Sequence, residues 1–256
     1  VKSQSDYWKV PLLNSIGFII TGVLAFGIIF QNFKIKFRVT TLSSLKYHIK
    51  EGWHIFISTV AISLYTVSNT FILGLFTNNT IVGYYSGAEK IVMAIRSLLM
   101  PVYQSFYPYL SKLLNKSRVE GINFINKFSF FSGLISLILS IILFVFSYVM
   151  VNIILGEKYI QSIEIIKILA FFPFITNFGI IYGSLTTLNL GYKSIYSMIL
   201  VFSGIINVLL AFLLAPIYFG QGIAIALMIT ETFIAISFFL YLRHQNININ
   251  PLLLKR

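Results

Sequence analysis

The chain has 256 residues, 57% of them hydrophobic and 10% charged, with a mean hydropathy of +0.88 and a formal net charge of +12. Soluble domains carry about 25% charged residues, and a chain this apolar cannot cover a globule with polar surface, which excludes a soluble domain. With no cysteine it has no disulfide framework, Cys-ligated metal or thiol nucleophile. Its basic residues sit in short segments between apolar runs, so the charge points to membrane topology and anionic headgroups and away from nucleic acid.

A polar stretch from Lys2 to Lys9 precedes the first apolar run, and the chain starts at Val1, from which further sequence upstream is expected. A helix needs about 20 apolar residues to cross the hydrocarbon core. Seven runs qualify, predicting an all-α polytopic transmembrane protein: Val10–Phe30, Trp53–Phe76, Ala88–Leu110, Phe128–Leu155, Ile163–Leu188, Ser194–Phe219 and Gly222–Leu242. Trp8, Tyr47, Trp53, Tyr148, Tyr159, Tyr192 and Tyr241 lie near run ends, where interfacial aromatics gather. The first run stands apart, separated by a basic connection (31–52) that reads as a linker or a surface amphipathic helix; a six-helix block (53–243) and a tail (244–256) follow.

Loop charges set the orientation. Lys34, Lys36, Arg38, Lys46 and Lys50 follow the first run; Lys112, Lys116, Arg118 and Lys127 follow the third; Lys193 follows the fifth; Arg243, Lys255 and Arg256 follow the seventh. The alternate loops are nearly bare. By the positive-inside rule the basic loops and the C-terminus are cytoplasmic.

In the second run, Ile57, Val60, Leu64, Val67, Phe71 and Leu75 form an apolar stripe at helical spacing. The remaining surface carries Ser58, Thr59, Ser63, Tyr65, Thr66, Asn69 and Thr70. That flank reads either as the wall of a hydrated cavity or as interhelical hydrogen bonding, worth about 0.6–2 kcal/mol per contact.

The third run is the most polar. Glu89, Met93, Arg96, Met100, Tyr103 and Tyr107 share one face at helical spacing, and Lys90 and Gln104 adjoin it. A charge at bilayer centre costs about 2.5–3.5 kcal/mol on insertion scales, so Arg96 must face protein or water; its guanidinium fork suits a phosphate or an acidic sugar. An intrahelical partner is the other reading, but Glu89 lies two turns away, about 10.5 Å along the axis. Lys90, near the helix end, is expected to snorkel, and Pro101 and Pro108 to bend the helix.

Ser129, Ser132, Ser136, Ser140 and Ser147 give the fourth run a small-residue side that fits close helix packing. In the fifth, Glu164 and Lys167 form a surface pair, and Pro173 predicts a kink whose freed backbone groups Asn177 is placed to satisfy. Glu231 is the one acid deep in the seventh run; a lone carboxyl there can carry a proton or bind a cation, or hydrogen-bond a neighbouring helix.

Enzyme chemistry is disfavoured. The seven acidic residues include no carboxylate pair for acid–base work, and His48, His54 and His244 form no metal triad. No Gly-rich phosphate loop is present, and no cofactor or metal is implied.

Several segments resemble bacterial O-antigen flippases of the Wzx type, in the multidrug/oligosaccharidyl-lipid/polysaccharide exporter superfamily. They are Trp8–Gly17, Glu51-Gly52-Trp53 with Asn69, Val82–Ile91, Pro101–Lys112, and Asn207 with Ala215-Pro216 and Phe219–Gly222. The resemblance implies two six-helix lobes around a central cavity, this chain supplying the last helix of the first lobe (1–30), the interlobe linker and the second lobe. It implies translocation of undecaprenyl-pyrophosphate-linked oligosaccharide units across the inner membrane by alternating access coupled to a proton or sodium, with membrane lipids and the N-terminal lobe as partners. Five further spans are then expected upstream of Val1, completing the lobe that the substrate cavity needs. The expected cavity residues are Arg96, Glu89, Lys90, Tyr65, Thr66, Asn69, Tyr103 and Gln104, with Glu231 for ion coupling. An organic-cation exporter of the same superfamily would prefer acidic cavity residues, and a glycan polymerase or ligase would need a large extracytoplasmic loop.

Overall fold

The computed structural model describes residues 8–33, 41–247 and 249. The expectations for Lys2, Lys34, Lys36, Arg38, Lys255 and Arg256 fall outside these residues. Residues 1–50 and 51–256 form separate units. In the first, α1 (Lys9–Phe33) is apolar all round, with Leu13, Phe18, Ile19 and Phe26 all well exposed. Such a helix needs lipid or other helices as its surroundings. After the segment 34–40, helical structure resumes at Leu42 and runs without a break to Phe76 as α2, so the C-terminal part of the expected linker is the first turns of a 35-residue helix.

The second unit is an up-and-down bundle. After α2 come α3 (Asn79–Ser97), α4 (Met100–Lys116), α5 (Arg118–Val145) and α6 (Ser147–Met150), which continues as a π turn, Val151–Leu155. Then follow α7 (Ser162–Leu169), α8 (Phe172–Gly179) with a π segment, Ile180–Leu188, and α9 (Lys193–His244). Local chemistry starts two of these helices: the Asn78 side chain accepts from the Ile81 amide, and Ser117 accepts from the Glu120 amide.

The long α9 is not one rod. Phe219 has φ 51° and ψ −129°, outside helical space. A Cβ on Gly222 would collide with the Leu214 carbonyl, so only glycine lets the chain fold back there. Asn207 on the first half (193–218) donates to Thr230 on the second (220–244) at 3.1 Å, which makes the halves antiparallel and matches them to the sixth and seventh apolar runs. Contacts between the other runs keep the alternation. Lys193 with Glu51, Ser197 with His54 and Gly204 with Ala61 advance together, so α2 and the first half of α9 are parallel. Tyr103 with Phe128 and Tyr109 with Phe124 run in opposite order, so α4 and α5 are antiparallel.

Five described helices are long and apolar enough to cross a membrane, the folded-back α9 among them. The third run differs from the single helix expected. Leu98 and Leu99 donate to the carbonyls three residues back, a 3₁₀-like turn that separates α3 from α4. The break falls just before Pro101, at a position where proline is tolerated because that N–H would be unsatisfied in any case. The chain also breaks before Pro173, as the sequence predicted. Asn177, however, leaves the freed backbone groups alone and accepts a 2.7 Å bond from the Tyr103 hydroxyl.

The two polarity patterns read on α2 and α5 separate cleanly. Val60, Leu64, Val67, Phe71 and Leu75 are exposed, the surface a lipid-facing stripe presents. All five serines of the α5–α6 side are buried. A Cβ on Gly133 would lie 3.2 Å from Phe178, the close approach that small residues permit.

Candidate functional site: a small cavity with one cation and one carboxyl

A cavity of about 90 Å³ lies within the second unit. Tyr65 enters from α2, Arg96 from α3, Thr176 from α8, Ser184 from the π segment, Tyr196 from the first half of α9 and Glu231 from the second. Ile62, Ile180, Leu200, Ile234 and Phe238 supply apolar wall. At about 10–15 Å³ of such space per water, the volume holds several waters.

Glu231 is 7% exposed and accepts a 3.1 Å hydrogen bond from the Tyr65 hydroxyl, which is itself buried. The two lie 166 residues apart in sequence. Arg96 is half-buried. Its guanidinium carbon sits 5.5 Å from the ring centroid of Phe172, a fully buried side chain, and one terminal nitrogen lies 4.0 Å from the Met93 sulfur. Its Nε has no hydrogen-bond partner among the described residues, and no carboxylate oxygen among them lies within 4 Å of it. An aromatic face can hold a guanidinium without neutralising it, so the cation is oriented yet keeps donors for another group.

The π segment shapes one wall. Thr186 and Thr187 donate to the Ile181 and Tyr182 carbonyls, five residues back, both at 2.7 Å, which fits the wider turn. Such turns frequently mark functional sites. A Cβ on Gly183 would lie 2.6 Å from the Phe238 ring, so glycine brings this wall against the second half of α9.

Of the residues expected from sequence, Tyr65, Arg96 and Glu231 line this cavity. Tyr103 is buried nearby in sequence but turns to Asn177. Glu89 lies two turns before Arg96 on α3 and accepts from the Tyr85 hydroxyl at 3.1 Å. Lys90 and Gln104 are exposed. Thr66 closes back on the Ile62 and Ser63 carbonyls of its own helix. Asn69 is fully buried outside the cavity, with both amide atoms lacking a partner among the described residues. Ser58 and Thr59 likewise bond to carbonyls of their own helix. The polar flank of α2 thus reaches the cavity through Tyr65, and the 3₁₀ turn at Leu98–Leu99 breaks the helical register that grouped Tyr103 and Gln104 with Arg96, whereas Glu89 stays on the same helix as Arg96 without lining the cavity. Sequence reasoning missed Phe172, Thr176, Ser184 and Tyr196; the sign available was a hydroxyl or aromatic inside an otherwise apolar run.

All-helical structure with long apolar helices and wide apolar exposure defines a multi-pass membrane protein. The sequence model of the family described as "Polysaccharide biosynthesis protein" matches residues 1–114. The "Putative O-antigen transporter" of Escherichia coli (strain K12) is 30% identical over 247 residues, covering 96% of this chain and 60% of that protein. Its namesake in Shigella dysenteriae is 26% identical over 239 residues, covering 92% and 59%. The chain therefore spans about 60% of the length of the curated relatives it matches. No solved structure matches it. The chain is thus similar to the O-antigen transporters, in line with the resemblance read from its sequence.

Proposed function

We propose that this chain is the C-terminal portion of a transporter that moves undecaprenyl-pyrophosphate-linked O-antigen units from the cytoplasmic to the periplasmic leaflet of the inner membrane. Coupling to a proton or sodium gradient drives it. The observation that carries the reading is Arg96, a cation that is held by an aromatic ring, has no carboxylate oxygen within 4 Å among the described residues and borders a cavity with an acid. A membrane-buried cation of this kind is a functional group by default, and a guanidinium suits a pyrophosphate. The names of the relatives, both O-antigen transporters, support the cargo class.

A polyprenyl tail dissolves in hydrocarbon, whereas the glycan and pyrophosphate need a hydrated, cationic path. In this reading residues 53–243 are one lobe of the full-length transporter, and its Arg96–Glu231 cavity handles the anionic headgroup and the coupling ion. Rocking of the lobes supplies alternating access. The test is complementation of a flippase-deficient strain by the full-length gene. The proposal predicts restored surface glycan. Well-expressed protein without glycan display would overturn it.

A further inference from the structure

Arg96 and Glu231 come from different helices to one small cavity. Each already has a neutral companion: Phe172 under the guanidinium and the Tyr65 hydroxyl on the carboxyl. Neither companion cancels a charge. The other groups facing Glu231 are Tyr65 and Tyr196, with Thr176 and Ser184 from α8 and the π segment, so Arg96 is the cationic side chain among the lining residues. The wall they share is mostly apolar side chains, which keeps the local dielectric below that of bulk water.

We infer that anion binding at Arg96 and cation binding at Glu231 are positively linked, each strengthening the other, because each side chain is the other's counter-charge across one cavity. The inference rests on the transport reading, in which Arg96 takes a phosphate group and Glu231 a proton or sodium. A phosphate on Arg96 takes away the charge that balances Glu231 and adds a second anion to the same weakly screened volume. A cation on Glu231 relieves both effects. The linkage is reciprocal, since the factor by which one ligand strengthens the other is the same in either order. The headgroup and the coupling cation therefore occupy the site together, in place of displacing one another.

Inorganic pyrophosphate is the probe. Its affinity for the purified full-length protein is measured by titration calorimetry across a pH series, in sodium buffers and in potassium-only buffers. Affinity is expected to rise by about 5- to 150-fold, the usual span of such coupling, as pH falls if the cation is a proton, or with added sodium if it is sodium. E231Q keeps an oxygen for Tyr65 but carries no charge. It should bind at the tight limit throughout, and the same series run on it removes the probe's own protonation from the comparison. R96Q should lose binding. Wild-type affinity indifferent to both cations, or weaker binding by E231Q, overturns the linkage. Thermal unfolding gives a second reading that needs no ligand. The R96Q/E231Q double variant should lose less stability than the two single losses combined, and strict additivity overturns the charge pairing. Absence of Arg96-dependent pyrophosphate binding defeats the transport reading and the linkage with it, whereas binding without linkage defeats the linkage alone.

Discussion

Two polar regions of this bundle look alike in composition and do different things. The α5–α6 side buries five serines, and three of them, Ser132, Ser136 and Ser147, satisfy their hydroxyls on carbonyls of their own chain three or four residues back. Its polarity is turned inward, and its small side chains let α5 and α8 approach closely, as Gly133 against Phe178 shows. Around Arg96 and Glu231 the polar groups come from six helical segments and converge on a cavity, and the cation keeps an unpartnered nitrogen. Ser129 and Ser140 are buried with no partner among the described residues, so the difference teaches that hydroxyls in a membrane helix say little by themselves: a carbonyl of the same helix can absorb them, and a neutral hydroxyl can also be buried without one. An ionisable group has no such local remedy and has to be met by tertiary structure or by solvent.

Substitutions sharpen the contrast. The largest effect is expected for Arg96→Ala in the full-length protein: surface glycan should fall by about tenfold or more, the scale of losing charged hydrogen bonds worth about 1.5–3 kcal/mol, with expression intact. Undiminished glycan display would remove Arg96 from the path. Glu231→Gln should preserve assembly and abolish the dependence of transport on the ion gradient, measured in energised against de-energised vesicles; an unchanged dependence would count against an ion role. Tyr65→Phe removes one hydrogen bond to Glu231, and should lower stability by about 0.6–2 kcal/mol in thermal unfolding, with a several-fold loss of transport. Ser140→Ala, on the packing face, should change stability by less than about 0.6 kcal/mol and leave transport alone. Equal transport losses for Tyr65→Phe and Ser140→Ala would erase the distinction between the regions.

Much of the fold was legible in the sequence because hydrocarbon imposes length and hydropathy on every span. The fold-back at Phe219 fell between two apolar runs, and Pro216, Gly220 and Gly222 mark it. Arg96 and Glu231 stood out because a charge at membrane depth is conspicuous in any apolar run. The partners were not legible. Tyr65 and Glu231 meet across 166 residues, and Phe172 beneath Arg96 is one of 25 phenylalanines with nothing local to distinguish it. The grouping of Gln104 with Arg96 assumed an unbroken helix through Ala88–Leu110, and the 3₁₀ turn at Leu98–Leu99 resets that register; Glu89 and Lys90 share α3 with Arg96, but Glu89 is taken by Tyr85 one turn before it and Lys90 is exposed.

The central claim is that Arg96 and Glu231 border a volume that water reaches from within the bilayer. Because these 256 residues contain no cysteine, single cysteines can be placed against a clean background once any cysteines elsewhere in the full-length protein are replaced. Thiols react as thiolates and so report water. Ser184→Cys on the cavity wall should be modified by 2-aminoethyl methanethiosulfonate in intact membranes, and modification should be slowed by pyrophosphate, whereas Ser140→Cys should stay unreactive. An unreactive Ser184→Cys, or equal reactivity at both positions, would contradict the account.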